Sequence, residues 1–134
     1  MDRSQPGAQM ELAEFEKLVQ EGFERLPVHI REKIKNVALL VEAEPSPAVR
    51  AQEHLNEGET LLGYYQGVPL TAREYGMSMT PPDTITLYQK PIEQAAREDG
   101  MDVRTVIAET IWHEYAHHFG MDEDEVQKRE GLRP

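Results

Sequence analysis

The stretch His113-Glu114-Tyr115-Ala116-His117-His118-Phe119-Gly120-Met121-Asp122-Glu123-Asp124-Glu125 decides how the rest of the chain is read. Its first five residues spell His-Glu-x-x-His. Residues four apart on an α-helix lie one turn apart on the same face. His113 and His117 are therefore placed to offer two imidazole nitrogens to one metal ion. Glu114 sits about 100° further round the helix, beside such an ion, where a general base for a metal-bound water belongs.

The surrounding helix gives the motif its context. Asp102 has the character of an N-cap, and the helix is expected to run from Val103 to Phe119. Its apolar members Val103, Val106, Ile107, Ile111, Trp112 and Phe119 point nearly all round the axis, which marks a buried helix. Glu109, Thr110, His113 and His117 form its one polar seam. Polar groups inside a domain need partners, and a metal would supply them. His118 points away from that seam.

After the helix, Gly120 can take a left-handed conformation, stop the helix and turn the chain back. The carboxylates that follow come within reach of an ion on the seam. Glu123, ten residues after His113, is the first candidate for a third ligand. Asp122 and Asp124 flank it, and Glu109 is a more distant alternative. Asp122 also suits the N-cap of a short closing helix over 123–130, which would engage its oxygens and leave Glu123 freer. Zn²⁺ suits two imidazoles, a carboxylate and an open position. The bland alternative is a pair of stacked surface histidines followed by a solvated acidic turn.

Composition narrows the function classes. The chain has 134 residues, one domain's worth, with 39% hydrophobic and 29% charged residues. A disordered lead is expected at 1–8 and a single domain over 9–134. Net charge is −11, from 25 acidic and 14 basic residues, which argues against nucleic acid as a partner. There is no cysteine, so a zinc site must be built from His and carboxylates. The polar start of the chain and the lack of a long apolar run predict no membrane partner and a cytoplasmic location.

Upstream, Leu12, Phe15, Leu18, Val19, Phe23 and Leu26 recur at helical steps. They predict an amphipathic helix over 9–26, stopped by Pro27. A short helix over 28–35 follows. Residues 37–42 form a nearly continuous apolar run and predict a buried strand. Residues 48–59 are ambiguous, 60–66 predict a strand, 70–75 a weaker one, and 76–83 a loop. Residues 84–88 alternate and predict another strand. Pro91 is the expected first residue of a helix ending near Glu98, with Ile92, Ala95 and Ala96 inward. His29 and His54 read as ordinary surface histidines. Either 61–66 or 84–88 could be an edge strand that accepts an extended peptide. Tyr64, Tyr65, Tyr75, Arg73 and His54 have the chemistry of a transition-state stabiliser but also ordinary structural roles.

The segment from His113 to Gly120 resembles the signature of the small bacterial zincin-like metallopeptidases. The likeness extends to Leu39-Leu40-Val41-Glu42-Ala43-Glu44-Pro45, to the stretch from Leu61 to Leu70, and to the stretch from Ile85 to Glu93. Together it covers roughly residues 12–130. The resemblance implies an α+β minimal zincin: a small mixed or mostly antiparallel sheet of three or four strands on a buried active-site helix, with an N-terminal amphipathic helix. It implies Zn²⁺ held by His113 and His117, Glu114 as catalytic base, and a peptide or protein substrate. The family's third ligand is usually Asp at the offset held here by Glu123, whose side chain is one methylene longer. Two rival readings are a non-catalytic zinc-binding scaffold or regulatory module and a metal-dependent RNA hydrolase. Glu114 counts against both, and the net charge counts against the second.

Overall fold

The computed structural model of the chain describes residues 10–67 and 81–120. The lead at 1–8, the weak strand at 70–75, most of the expected loop over 76–83 and the closing helix at 123–130 lie wholly or largely outside the described residues. The described elements are α1 (Leu12–Glu24), α2 (Val28–Ile34), β1 (Ala38–Glu42), α3 (Pro47–Gln52), β2 (Gly63–Gln66), β3 (Thr84–Tyr88), α4 (Gln89–Asp99) and α5 (Val103–His118). The fold is mixed α+β, and among the described residues the sheet has three strands in the order β1-β3-β2. β3 is central, parallel to β1 and antiparallel to β2.

α1 forms because its apolar residues repeat on one face. A capping box at its start joins Glu11 and Glu14 reciprocally, with the Glu11 N–H donating to Glu14 Oε1 at 3.0 Å. Phe15 and Val19 are buried on that face, and Leu26, just past the end of the helix, is buried too. α5 packs chiefly against α1 and also touches β2, β3 and α4. The α1–α5 crossing is close because Gly22 has no side chain. A Cβ there would lie 2.7 Å from Ile107 Cγ2 and 2.9 Å from the Arg104 carbonyl oxygen. Ile85 and Leu87 of β3 complete the core with Ile107, Ala108, Ile111 and Trp112 of α5. No helix among the described residues is long and apolar enough to cross a membrane.

Several expectations are corrected. Residues 38–42 do form a strand, but β1 is not buried on both faces. It occupies one end of the described sheet, and Leu40 is 46% exposed. A continuous apolar run reports hydrophobicity and not which face is covered. Residues 84–88 cannot serve as an edge strand, because β3 has a neighbour on each side. β2 is shorter than 60–66. The Tyr88 N–H still reaches the Leu62 carbonyl at 3.0 Å, but Thr60 and Leu61 leave the sheet. α4 starts at Gln89, with Tyr88 as its N-cap, so Pro91 is its third residue and not its first. The first four N–H groups of a helix lack intrahelical partners, so the missing proline N–H costs nothing there. The ambiguous stretch 48–59 contains α3, capped by Ser46, whose hydroxyl accepts from the Val49 N–H at 3.2 Å.

Candidate active site

α5 is set firmly at its beginning. The Asp102 carboxylate accepts the Arg104 N–H at 2.8 Å, as an N-cap should. The same carboxylate pairs with the Arg104 guanidinium at 3.0 Å and with Arg25 at 3.4 Å. Arg104 reaches on to Glu21 of α1 at 3.1 Å. These cations and the cap bonds lower the Asp102 pKa to about 2, the Arg104 hydrogen bonds being the largest cause. At the other end, Phe119 is the C-cap and Gly120 takes a φ of 80°, the left-handed turn expected at its position. The helix is buried from Val106 to Trp112; in its last turn Ala116 is still buried but His117 and His118 are exposed. Phe119, expected in the core, is 57% exposed.

The polar seam therefore emerges from the core along the helix. Glu109 and Thr110 are buried, His113 is half-buried, and His117 is exposed. The two imidazoles lie 5.7 Å apart between ring centres, with planes at 82°. His113 Nδ1 lies 3.1 Å from the Glu109 carbonyl oxygen. A carbonyl can only accept, so in this contact Nδ1 carries the proton and donates, leaving Nε2 with the lone pair. A backbone carbonyl behind a ligating histidine orients the ring in the same way in metal sites. Two donors on one helical face, one with its tautomer fixed, fit a cation that accepts nitrogen ligands.

Glu114 points into the space between α5 and β2. Gly63 makes that space, since a Cβ there would lie 2.8 Å from Thr110 Cγ2 and 3.3 Å from Glu114 Cγ. The Tyr65 backbone N–H donates to the Glu114 carboxylate. Burial raises the pKa of Glu114 above the ordinary carboxyl value. The Tyr65 N–H and the adjacent His117 and His113 pull it back, and Glu53 adds to the rise. A carboxylate that is held in one orientation and has a strengthened affinity for a proton has the properties of a general base.

The Tyr65 side chain binds the same helix further on. Its ring stacks on His118, with centres 3.9 Å apart and planes at 18°, and its hydroxyl donates to Asp83 Oδ2 at 2.6 Å. His118 is thus directed away from His113 and His117, as expected, but against the sheet. Tyr64, on the opposite face of β2, hydrogen-bonds Glu53, and burial with that acid raises its pKa. Tyr88 is almost completely buried, and its pKa rises to about 12 through desolvation and then through Glu42, Tyr64, Glu114 and Glu53. His54 is exposed with a φ of 55°. Tyr75 and Arg73 lie outside the described residues.

A cleft of about 350 Å³ opens beside His113 and Glu114. Leu61, Leu62 and Gly63 form one side, and Ala95, Asp99 and Met101 another. Val106, Glu109 and Thr110 of α5 form its floor. Among the described residues, no group of three or more His, Cys, Asp or Glu side chains is placed to hold a metal ion. Asp122, Glu123 and Asp124 lie outside the described residues. Sequence reasoning missed two contributors to the site, Gly63 and the Tyr65 N–H. The glycine between Leu62 and Tyr64 was visible as an interruption of a strand, a pattern that marks close backbone approach. The N–H leaves no trace in the identity of residue 65.

Comparisons with known proteins bear on the same region. The family described as zincin-like metallopeptidase matches residues 34–132. No curated protein matches the chain. A solved structure, described as a conserved hypothetical protein from "Thermo thermophilus", is 24% identical, with 90% of this chain and 100% of that chain covered and a TM-score of 0.49.

Proposed function

The chain belongs to the zincin-like metallopeptidase family, and from that premise we propose that it is a zinc-dependent peptidase in which Glu114 is the general base. His113 and His117 hold the metal in this reading, and Glu123 is the proposed third ligand. When bound, zinc supplies Lewis acidity towards a water and the scissile carbonyl. Glu114 takes a proton from the attacking water as its oxygen bonds to the carbonyl carbon. It then passes that proton to the departing nitrogen as the C–N bond breaks. No covalent enzyme intermediate is needed, in keeping with a chain that has no cysteine.

The observation that carries the reading is the setting of Glu114. It follows His113 directly, faces the cleft, accepts the Tyr65 N–H, and has its pKa raised by burial. Nothing in a zinc scaffold would require a carboxylate held in that way. A peptide or protein is the proposed substrate, and the net charge of −11 argues against a nucleic acid.

The test is turnover of a quenched peptide library by zinc-loaded protein, with zinc content measured in parallel. Glu114→Gln should lower cleavage by at least ~10²-fold while zinc stays bound. Chelation should abolish cleavage and added zinc should restore it. Stoichiometric zinc with no cleavage of any peptide would reject catalysis in favour of a scaffold.

A further inference from the structure

We propose that the cleft beside Glu114 receives a lysine or arginine side chain of the substrate residue adjoining the scissile bond, with Asp99 holding its cationic head. This rests on the peptidase reading of the same site.

Shape gives the first argument. The cleft floor on α5 runs from His113 back to Val106, seven residues, or about 10 Å at the helical rise. A volume of about 350 Å³ drawn out along that length suits a long, unbranched side chain lying parallel to the helix. The walls match such a stem. Leu61 and Leu62 lie on one side, Ala95 and Met101 on the other, with Val106 at the far end. Apolar walls of this kind clasp the methylenes of lysine or arginine while the head reaches a polar group beyond them.

Charge gives the second argument. Asp99 is the last residue of α4, four residues before α5 begins at Val103, so it stands at the end of the cleft remote from His113. The helix dipole of α4 presents its negative end there. Asp99 forms no ion pair among the described residues. The nearby cations Arg25 and Arg104 bind Asp102, and Arg104 also binds Glu21; neither lines the cleft. Among the described residues, the lining includes the carboxylates of Asp99, Glu109 and Glu114 and contains no lysine or arginine. A bound zinc would offset negative charge at the His113 end and leave Asp99 about one cleft-length away. An acidic substrate side chain is repelled by this lining, and a purely apolar one leaves Asp99 unused.

The experiment compares matched peptides that differ only at the residue adjoining the scissile bond: arginine, lysine, norleucine or glutamate. Wild-type protein should show kcat/KM about three- to fivefold higher for arginine or lysine than for norleucine, the size of a charge pair whose carboxylate, Asp99, is exposed. Asp99→Asn should bring the arginine-to-norleucine ratio close to one, and Asp99→Lys should favour glutamate. A merely structural defect would lower every peptide alike and leave the ratios unchanged. A second readout needs no turnover: Nα-acetyl-arginine amide should shift the labelled Met101 methyl resonance in wild-type protein more than the norleucine amide does, and not in Asp99→Asn. Cleavage without a basic preference, or with one that Asp99→Asn leaves intact, overturns the proposal and leaves the peptidase reading standing. If no peptide is cleaved, the peptidase reading fails and the Met101 shift alone decides the side-chain site, its absence overturning the proposal.

Discussion

Tyr65 binds α5 at two points one turn apart: its backbone N–H donates to the Glu114 carboxylate, and its ring stacks on His118 at 3.9 Å. The side chains at 114 and 118 lie on the same side of the helix, so one residue of β2 fixes both the candidate base and the turn after it. Tyr65→Phe keeps the ring and removes the hydroxyl with its bond to Asp83, and should cost about 1 kcal/mol with little change in peptide cleavage. Tyr65→Ala also removes the stack and should cost about 2–3 kcal/mol. Chemical denaturation of both variants, followed by cleavage assays, separates the contribution of the hydroxyl from that of the ring. Equal losses from Phe and Ala would show that the ring contact contributes nothing.

Gly63→Ala tests the close approach of β2 to α5. Its new methyl would meet Thr110 Cγ2 at 2.8 Å and crowd Glu114 Cγ at 3.3 Å. The expected result is a loss of about 1–3 kcal/mol in stability. A fall in kcat beyond what the unfolded fraction explains should accompany it, because Glu114 must move. Full activity in a stable Gly63→Ala protein would show that the carboxylate has room the structure does not give it.

Asp102 should stabilise the start of α5 chiefly through its capping oxygen. Asp102→Ala is expected to cost about 1 kcal/mol, with Asp102→Asn closer to wild type because an amide oxygen can still cap. The pH dependence has a defined sign. The folded pKa, about 2, lies below the ordinary value of 3.8. The contribution is therefore present above pH ~4 and is lost as pH falls through about 2. Melting curves of wild type and both variants across that window measure it. An Ala variant as stable as wild type at pH 7 would remove the cap from the account.

Tyr88 carries the opposite dependence. Its folded pKa, about 12, is above the ordinary value of 10.0. The folded state holds the proton after the unfolded chain has lost it, so stability falls as pH rises from about 10 towards 12. Tyr88→Phe should flatten this alkaline fall. Denaturation at pH 8, 10 and 11, with tyrosinate absorbance followed in parallel, tests the effect. A Phe variant with the same alkaline slope would assign the loss elsewhere.

Much of this architecture could be read in the sequence because side-chain periodicity records it. Phe15, Val19 and Phe23 marked α1, and the spacing of His113 and His117 marked one face of α5. Asp102 and Gly120 bounded that helix by chemistry that only caps and left-handed turns require. What escaped was information that side-chain patterns do not hold. The strand order places β3 centrally through pairing with residues more than 40 positions earlier in β1. Leu40 is as apolar as Leu39, yet it is exposed because of what covers each face of β1. The orientation of Glu114 depends on a peptide N–H of β2, and any residue except proline at 65 would carry one. Its identity as an acid was legible, but its setting was not.

The position of β3 has a consequence for how the chain assembles. Among the described residues β1 and β2 are not neighbours, and each pairs with the strand that follows both of them. During synthesis, the described sheet therefore has no native pairing available until residues 84–88 have emerged. The last strand acts as a keystone, and α4 and α5 follow it directly. Sheet closure and docking of the motif helix are then expected as one late cooperative event, leaving little opportunity for a half-built cleft in which the helix has formed but Glu114 has not yet met the Tyr65 N–H.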